Sequence, residues 1–273
     1  LRFIVGRFKN TFSRENLEAC LEPLTLDRAE ALAYTPFGGS RDTGLAVWGN
    51  LLDARLQYRL MIADGREGND VAKDYPRLTG RVHYSFWEPE PSYGYLGTYL
   101  GTKKVLTIGA AYDMQKDVAY GNYVMRSDIK DYKAWTTDVF MEYPALSGVY
   151  TLSGAYFDYD TGNAINMAPD PTLPIGSNLK GYYVKAGYML PSKIGIGRLQ
   201  FFARHEKSDY GIRVGNANYY DQKWNSVGAN YYLDGQRLKI TFEYADIAFD
   251  TQHPTNPALQ DYNQATLGLQ FIF

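Results

Sequence analysis

Residues 77–86 read RLTGRVHYSF, and two kinds of side chain alternate along this whole stretch. Apolar residues such as Val82 and Tyr84 occupy every second position, whereas Arg77 and Arg81 lie among the positions between them. Successive side chains of a β-strand point to opposite faces. The stretch is therefore predicted to be a strand with one apolar face and one charged face.

Segments with the same alternation recur along the chain, and helical spacing of apolar residues is weak by comparison. Twelve such strands are predicted, near 1–8, 43–50, 55–62, 77–86, 104–115, 133–143, 147–158, 180–190, 197–206, 224–233, 238–244 and 264–273. The fold class predicted from this pattern is all-β.

Composition excludes several classes of protein. The chain has 28 Lys and Arg against 30 Asp and Glu, and it has no stretch of about 18 uncharged apolar residues that could form a transmembrane helix. Its basic residues form no cluster or tail of the kind that binds nucleic acid, so no nucleic-acid partner is expected. The single cysteine, Cys20, cannot form an internal disulfide bond.

The connections between the predicted strands alternate in length along most of the chain. Short connections are predicted at 51–54, 144–147, 191–196 and 234–237, and long ones at 9–42, 64–76, 116–132, 159–179, 207–223 and 250–263. Outer-membrane barrels have short periplasmic turns and long extracellular loops. We therefore predict one domain, 1–273, folded as a transmembrane antiparallel β-barrel in a bacterial outer membrane. The connection 87–103 breaks the alternation, and we expect a packed excursion at the periplasmic rim.

Aromatic residues mark the ends of many alternating segments, as in the two aromatic girdles of membrane barrels. The residues in question are Tyr84, Trp87, Tyr112, Trp135, Tyr143, Tyr156, Tyr188, Trp224 and Tyr244. The alternative is that they reflect only the preference of aromatic residues for strands. The last strand ends in Phe273, a pattern that resembles the terminal strand by which outer-membrane proteins are recognised for insertion.

Four stretches of sequence resemble the phosphate-selective porins of the O/P type. They are LRFIVGRFKNTFSRENLE at 1–18, RDTGLAVWGNLLDARLQYRLMIADG at 41–65, YLGTKKVLTIGAAYD at 99–113 and LGLQFIF at 267–273. The resemblance implies an anion-preferring, homotrimeric barrel of a Gram-negative bacterium, with sixteen strands and an inward loop after the GRFK strand. By that resemblance, 9–42 is the constriction loop.

Chain length argues against sixteen strands here. Sixteen would leave about 17 residues for each strand and its connection, whereas twelve leave about 23, which suits strands of roughly 10 residues with alternating long loops. The chain also begins inside a strand, without an initiator Met or a signal peptide. We therefore expect it to be the C-terminal part of a sixteen-stranded porin, with a complete twelve-stranded barrel as the alternative.

The charged faces of the strands predict the lining of a pore. Alternation points basic residues inward at Arg55, Arg59, Arg77, Arg81, Lys185, Arg198, Arg204 and Lys239, and acidic residues at Asp113, Asp138, Glu142, Glu206 and Glu243. The first four would form a basic stripe on two neighbouring strands. Because stripes of arginine favour anions in a pore, we predict passive diffusion of small anionic solutes such as phosphate. The alternative is that these arginines only pair with nearby acids and hold the wall together.

The predicted constriction loop, 9–42, has nearly balanced charge. Its basic residues are Lys9, Arg14, Arg28 and Arg41. A short helix from Ser13 to Leu21 is predicted, with Ser13 as its N-cap. Cys20 would pack this helix against the wall.

No motif points to catalysis. The three histidines lack metal-ligand spacing, and there is no haem-attachment or paired-cysteine motif, so we expect no cofactor, no metal and no enzymatic activity. His83 and Ser85 share a strand face and are the local candidate for nucleophilic catalysis, but no third group is fixed by spacing. A role in lining the pore is favoured. The alternative function is a barrel that acts as a structural sheath or docking partner for another protein.

Overall fold

The computed structural model describes residues 1–18, 22–29, 40–66, 71–122, 124–162, 179–210, 221–252, 255 and 260–272. These residues form twelve antiparallel strands in one sheet, and the order in the sheet is the order in the chain. The strands are β1 Arg2–Lys9, β2 Arg41–Leu51, β3 Leu56–Ala63, β4 Arg77–Ser85, β5 Val105–Asn122, β6 Ser127–Ala145, β7 Gly148–Asp160, β8 Leu179–Met189, β9 Arg198–Tyr210, β10 Gln222–Asp234, β11 Leu238–Phe249 and β12 Tyr262–Phe271. Each strand predicted from alternation is present, which confirms the all-β prediction.

Polar residues are buried on one face of the sheet and apolar residues are exposed on the other. In β3, the side chain of Leu60 is 60% exposed, whereas that of its neighbour Arg59 is 1% exposed. The same contrast holds in β4, where Val82 is 51% exposed and Arg81 is 2% exposed. A protein that folds in water has the opposite arrangement. We call the buried polar face the inner face.

The short connections fall where they were predicted and have the backbone conformations of tight turns. Leu52, Asp53 and Ala54, between β2 and β3, all have positive φ angles. Gly148 and Gly235, at the turns β6–β7 and β10–β11, have φ angles of 137° and 52°, which favour glycine. These turns all lie on one rim of the sheet.

Three sequence predictions are wrong in detail. The stretch 116–132 is largely strand, because β5 and β6 extend as a hairpin to residues 122 and 127, past a register shift after Gln115. Trp224 belongs to the inner face, where the Arg204 guanidinium lies 4.7 Å from its ring centre, and so it is no part of an outer girdle. The predicted helix is a single turn, α1, at Arg14–Leu17.

The Ser13 side chain caps α1 as predicted, since its hydroxyl accepts a hydrogen bond from the Asn16 N–H at 3.0 Å. Cys20 lies outside the described residues, as do 30–39. Among the residues that are described, no helix is both long enough and apolar enough to cross a membrane.

The exposed apolar face predicts the effect of a charge placed on it. Leu60→Arg should lower the free energy of unfolding by about 2–4 kcal/mol, because the arginine would face lipid hydrocarbon. Leu146→Arg is the matched control, since Leu146 lies in the β6–β7 turn and is 102% exposed. Its effect should stay below about 1 kcal/mol. Urea titrations of the protein folded into phospholipid vesicles measure both changes, and equal effects would contradict the assignment of the faces.

Candidate functional site

The predicted lining residues lie on the inner face, with one exception. Those with at most 4% exposure are Arg59, Arg77, Arg81, Lys185, Arg204, Lys239, Asp113, Asp138, Glu142, Glu206 and Glu243. Arg198 lies at the start of β9 and is half-buried. The exception is Arg55, which lies in the β2–β3 turn and donates to the Ser85, Phe86 and Trp87 carbonyls. The predicted stripe of four arginines is therefore a stripe of three.

Arg77 and Arg81 are bound to carboxylates across the sheet. Arg77 donates from Nε to both oxygens of Asp113 at 3.0 Å, and its Nη1 lies 3.3 Å from an oxygen of Asp42. Arg81 holds Asp138 through two parallel hydrogen bonds of 2.6 and 2.9 Å. Such paired contacts fix both the distance and the orientation of the two groups. These two arginines cross-link strands: Arg77 joins β4 to β5 and β2, and Arg81 joins β4 to β6 across β5.

The third inner cluster is on β9–β11. Arg204 donates to Glu206 at 2.8 Å and lies 4.0 Å from Glu243. Glu243 in turn accepts from the Ser226 hydroxyl at 2.5 Å. One guanidinium thus lies between two carboxylates, and the cluster has an excess of negative charge.

Arg59 differs from the other two arginines of the stripe because it contacts no carboxylate among the described residues. It donates to the Gln57 side-chain oxygen at 2.9 Å and to the Tyr93 carbonyl at 2.6 Å. Its guanidinium also lies 4.5 and 4.8 Å from the ring centres of Tyr93 and Tyr95. Register places Arg59 directly opposite Arg81, so two like charges meet on adjacent strands.

Arg198 and Lys239 also make their contacts with backbone oxygens. Arg198 donates to the Leu100 carbonyl at 2.8 Å, and Lys239 donates to the Pro23 carbonyl at 3.3 Å. Glu142 is the acidic counterpart, because its donors in the described part of the chain are neutral groups, such as the Gly101 N–H at 2.7 Å. On the inner face, three of the predicted cations have no carboxylate within 4.0 Å among the described residues, namely Arg59, Arg198 and Lys239. Glu142 is the one predicted acid there that has no cation within 4.0 Å among these residues.

The described parts of 9–42 lie against the inner face. Lys185 on β8 forms a buried ion pair with Glu15. Three polar contacts join later residues of this stretch to β9–β11, namely Arg204 to the Arg28 carbonyl at 3.0 Å, Asn230 to the Leu24 carbonyl at 2.8 Å and the Leu26 N–H to Glu243 at 3.1 Å. Lys9 on β1 and Arg41 on β2, at the start and end of the stretch, lie opposite each other in the strand register.

The 87–103 segment, between β4 and β5, also lies against the inner face and not only at the rim. Its side chains Glu90, Tyr95 and Thr98 are at most 2% exposed. The Tyr95 hydroxyl lies 2.5 Å from Nδ1 of His83 on β4, and its ring contacts the Arg59 and Arg81 guanidinium groups. The unusual length of this connection was the sequence signal, but sequence reasoning missed that the segment covers the arginine stripe.

The two inward stretches meet at a buried ion pair. Arg14 of α1 and Glu90 of the 87–103 segment form two hydrogen bonds of 2.8 Å each. Burial alone would raise the pKa of Glu90, but the charge of Arg14 and hydrogen bonds from Arg14, Tyr99 and Thr107 lower it to about 2. Glu18, at the end of α1, shows the opposite shift, because burial and then the charge of Glu15 raise its pKa to about 7.

The residues considered for catalysis are engaged separately. His83 contacts Tyr95, whereas the Ser85 hydroxyl lies 3.2 Å from that of Thr107. Among the described residues, no three His, Cys, Asp or Glu side chains are grouped so that they could hold a metal ion. The inner face therefore offers charges and hydrogen-bonding groups, arranged along a wall.

Comparisons with known proteins agree with this geometry. The sequence model of the family described as phosphate-selective porin O and P matches residues 1–273, which confirms the resemblance seen in the sequence. No curated protein matches the chain.

Two solved structures share the fold of the chain. In-vitro folded OmpT, an outer membrane protein of Vibrio cholerae, has a TM-score of 0.51 and 12% identity, covering 97% of this chain and 71% of that chain. The outer membrane channel DcaP of Acinetobacter baumannii has a TM-score of 0.51 and 14% identity, covering 98% and 70%. Together with the exposed apolar face, they confirm the predicted fold class, the transmembrane β-barrel of the bacterial outer membrane.

The different partners of Arg81 and Arg59 predict different effects of the same substitution. Arg81→Gln leaves Asp138 buried without its cation and should lower the free energy of unfolding by about 3–5 kcal/mol. Arg59→Gln leaves no carboxylate behind and should cost only about 1–2 kcal/mol. Urea unfolding in vesicles measures both, and a cost for Arg59→Gln equal to that of Arg81→Gln would contradict the assignment.

Proposed function

Since the chain belongs to the phosphate-selective porin O and P family and is therefore an outer-membrane porin, we propose that its pore admits small hydrophilic solutes by passive diffusion and prefers anions such as phosphate. The family description suggests the preference. The charges of the inner face supply the physical basis for it. The residues concerned differ from the stripe of four arginines predicted from sequence.

The observation that carries the proposal is the set of cations without carboxylate partners, Arg59, Arg198 and Lys239. A guanidinium or ammonium group that is paired with a carboxylate offers a passing ion little net field. One that contacts only carbonyl oxygens keeps its full positive charge. A lumen charge within a Debye length of roughly 8 Å of a passing ion acts on it more strongly than a charge on the outer loops does.

The 9–42 stretch is proposed to narrow the pore. Support comes from its contacts with four strands of the inner face, β8 to β11, through Glu15, Leu24, Leu26 and Arg28. A segment tied to this many strands crosses the space that the sheet encloses. Its backbone groups are satisfied by side chains of the wall, as irregular structure at membrane depth requires.

We propose no catalysed reaction and no cofactor, since the inner-face groups form ion pairs and not a nucleophile with an activating base. The sheath alternative is less well supported, because the described inner face is covered by the chain's own segments, 9–42 and 87–103. The outer face is proposed to contact outer-membrane lipid, and small anionic solutes are the proposed ligands. Assembly as a homotrimer remains a proposal that rests on the family resemblance.

Selectivity can be tested by reversal potentials in planar bilayers under a salt gradient. The wild-type channel should prefer chloride and phosphate over potassium. Replacing Arg198 and Lys239 together by Gln should lower the permeability ratio of chloride to potassium about two- to fivefold for each charge removed, the size expected from one charge about 5 Å from the ion path in water.

The matched control replaces Lys180 and Lys223 by Gln, since these lysines form exposed ion pairs with Asp158 and Asp250. It removes the same charge and should leave the ratio unchanged. A wild-type channel that prefers cations, or an equal effect of both double variants, would show that these inner-face residues do not set selectivity.

Deletion of residues 12–38 tests the constriction. The deletion removes every described contact between this stretch and β8 to β11, so single-channel conductance should rise. Heat-modifiable mobility on gels reports whether the barrel has assembled. Unchanged conductance of an assembled barrel would place the stretch outside the ion path.

A further inference from the structure

The 87–103 segment starts from the rim opposite to the one that bears 9–42. It joins the ends of β4 and β5, on the rim that also bears the β2–β3 turn, as the hydrogen bond from the Ser85 N–H to the Arg55 carbonyl shows. The 9–42 stretch joins β1 to β2 at the other rim. Two segments from opposite rims therefore meet against the inner face.

Glu142 on β6 anchors the second half of the 87–103 segment. Its carboxylate accepts from the Tyr99 and Gly101 N–H groups at 2.8 and 2.7 Å, and from the Thr98 hydroxyl at 2.8 Å. Arg198 on β9 adds a hydrogen bond to the Leu100 carbonyl. These contacts explain why Glu142 needs no cation, since it binds donors of the segment instead.

Side chains on β3 anchor the first half. The Gln57 amide donates to the Glu90 and Ser92 carbonyls at 3.3 and 3.2 Å, and Arg59 donates to the Tyr93 carbonyl at 2.6 Å. The segment is thus attached to β3, β6 and β9 as well as to the strands that it joins. These contacts hold the segment against the inner face at three strands besides β4 and β5.

The contact between the 87–103 segment and 9–42 consists of one buried ion pair and two backbone hydrogen bonds. The Arg14 guanidinium is fully buried, pairs with Glu90, and lies 3.9 Å from the ring centre of Phe140 on β6. Around it, the Tyr95 N–H donates to the Leu17 carbonyl at 3.3 Å, and the Gly97 N–H donates to the Glu22 carbonyl at 3.0 Å.

We propose that the 87–103 segment is a latch and a second wall of the constriction, and that the Arg14–Glu90 pair holds the 9–42 stretch in its narrowing position. Glu90 is then a positioning residue, because it acts on permeation through Arg14. The proposal goes beyond the proposed function but rests on it, since it assumes that 9–42 narrows the pore.

The physical reason lies in the cost of removing the closest carboxylate from a buried charge. With Glu90 neutral, the buried Arg14 would keep only the Glu18 carboxylate, 3.8 Å from its Nε, and the Leu96 carbonyl as partners, so the folded position of α1 would lose stability relative to a displaced one in which Arg14 reaches water. The strands would stay assembled, because their hydrogen bonds and ion pairs do not involve Arg14. The displaced stretch would leave a wider and more variable pore.

Glu90→Gln tests the latch by two readouts. Hydrogen exchange of the amides at residues 13–18 should become at least about tenfold faster, since their opening free energy falls. Single-channel recordings should show higher mean conductance and more open-channel noise. Arg14→Gln should have similar effects, and the double variant should be no worse than the worse single variant, because the second change removes nothing that the first has left intact.

Asp42→Asn is the matched control, since it also removes a buried carboxylate that binds an arginine, Arg77 at 3.3 Å, but on β2, where the described contacts of Asp42 involve neither the 87–103 segment nor α1. It should leave exchange at 13–18 and open-channel noise at wild-type values. If Glu90→Gln does not assemble, Tyr99→Phe removes one 2.6 Å hydrogen bond to Glu90 and should give a smaller increase in both readouts.

Each outcome decides one proposal. Wild-type exchange at 13–18 in Glu90→Gln, or additive effects in the double variant, would overturn the latch. Faster exchange with unchanged conductance would support the proposal that Glu90 holds α1. It would overturn the proposal that the 87–103 segment is a second wall of the constriction. A wild-type protein that does not conduct, or an assembled deletion of 12–38 with unchanged conductance, would overturn the proposed function, while the exchange measurement would still decide whether Glu90 holds α1.

Discussion

Contact with lipid hydrocarbon is the constraint on which the rest of this structure depends. Each strand must present apolar side chains such as Leu60 and Val82 outward, so its polar side chains have only the inner face left to occupy. Charged groups on that face are largely removed from water. They are tolerated there because most of them bind an opposite charge or several hydrogen-bonding groups.

This constraint divides the basic residues into two groups with different consequences. Arg77, Arg81 and Arg204 lie within 4.0 Å of carboxylates, and each has at least one of these carboxylates on another strand. Arg59 and Lys239 contact backbone oxygens instead and have no carboxylate within 4.0 Å among the described residues. A count of inward charges, as made from sequence, cannot separate the two groups. The partners decide which cations strengthen the wall and which contribute a field to the pore.

Alternation sufficed to predict the fold because it is a local property of each strand. The alternation within β4 shows by itself that Arg81 and Val82 lie on opposite faces, whatever the other strands are. Partners were beyond prediction, since Arg14 and Glu90 are 76 residues apart in the chain and meet only through the curvature of the sheet. Arg55 was misplaced for a related reason, because alternation does not show where a strand gives way to a turn. Trp224 shows that an aromatic residue near a strand end can also belong to the inner face when a cation packs on its ring.

The place of the 87–103 segment follows from the same need to satisfy buried polar groups. A connection on a periplasmic rim could be a turn of a few residues, as 52–55 is. The longer segment instead supplies backbone donors to Glu142 and a backbone acceptor to Arg59, two wall groups that have no oppositely charged partner within 4.0 Å among the described residues. Removing the segment would take from Glu142 its backbone donors and from Arg59 its backbone acceptor. Glu142 and Arg59 therefore hold the 87–103 segment in place, and the segment supplies their hydrogen-bond partners. The position of 9–42 depends on this segment in turn.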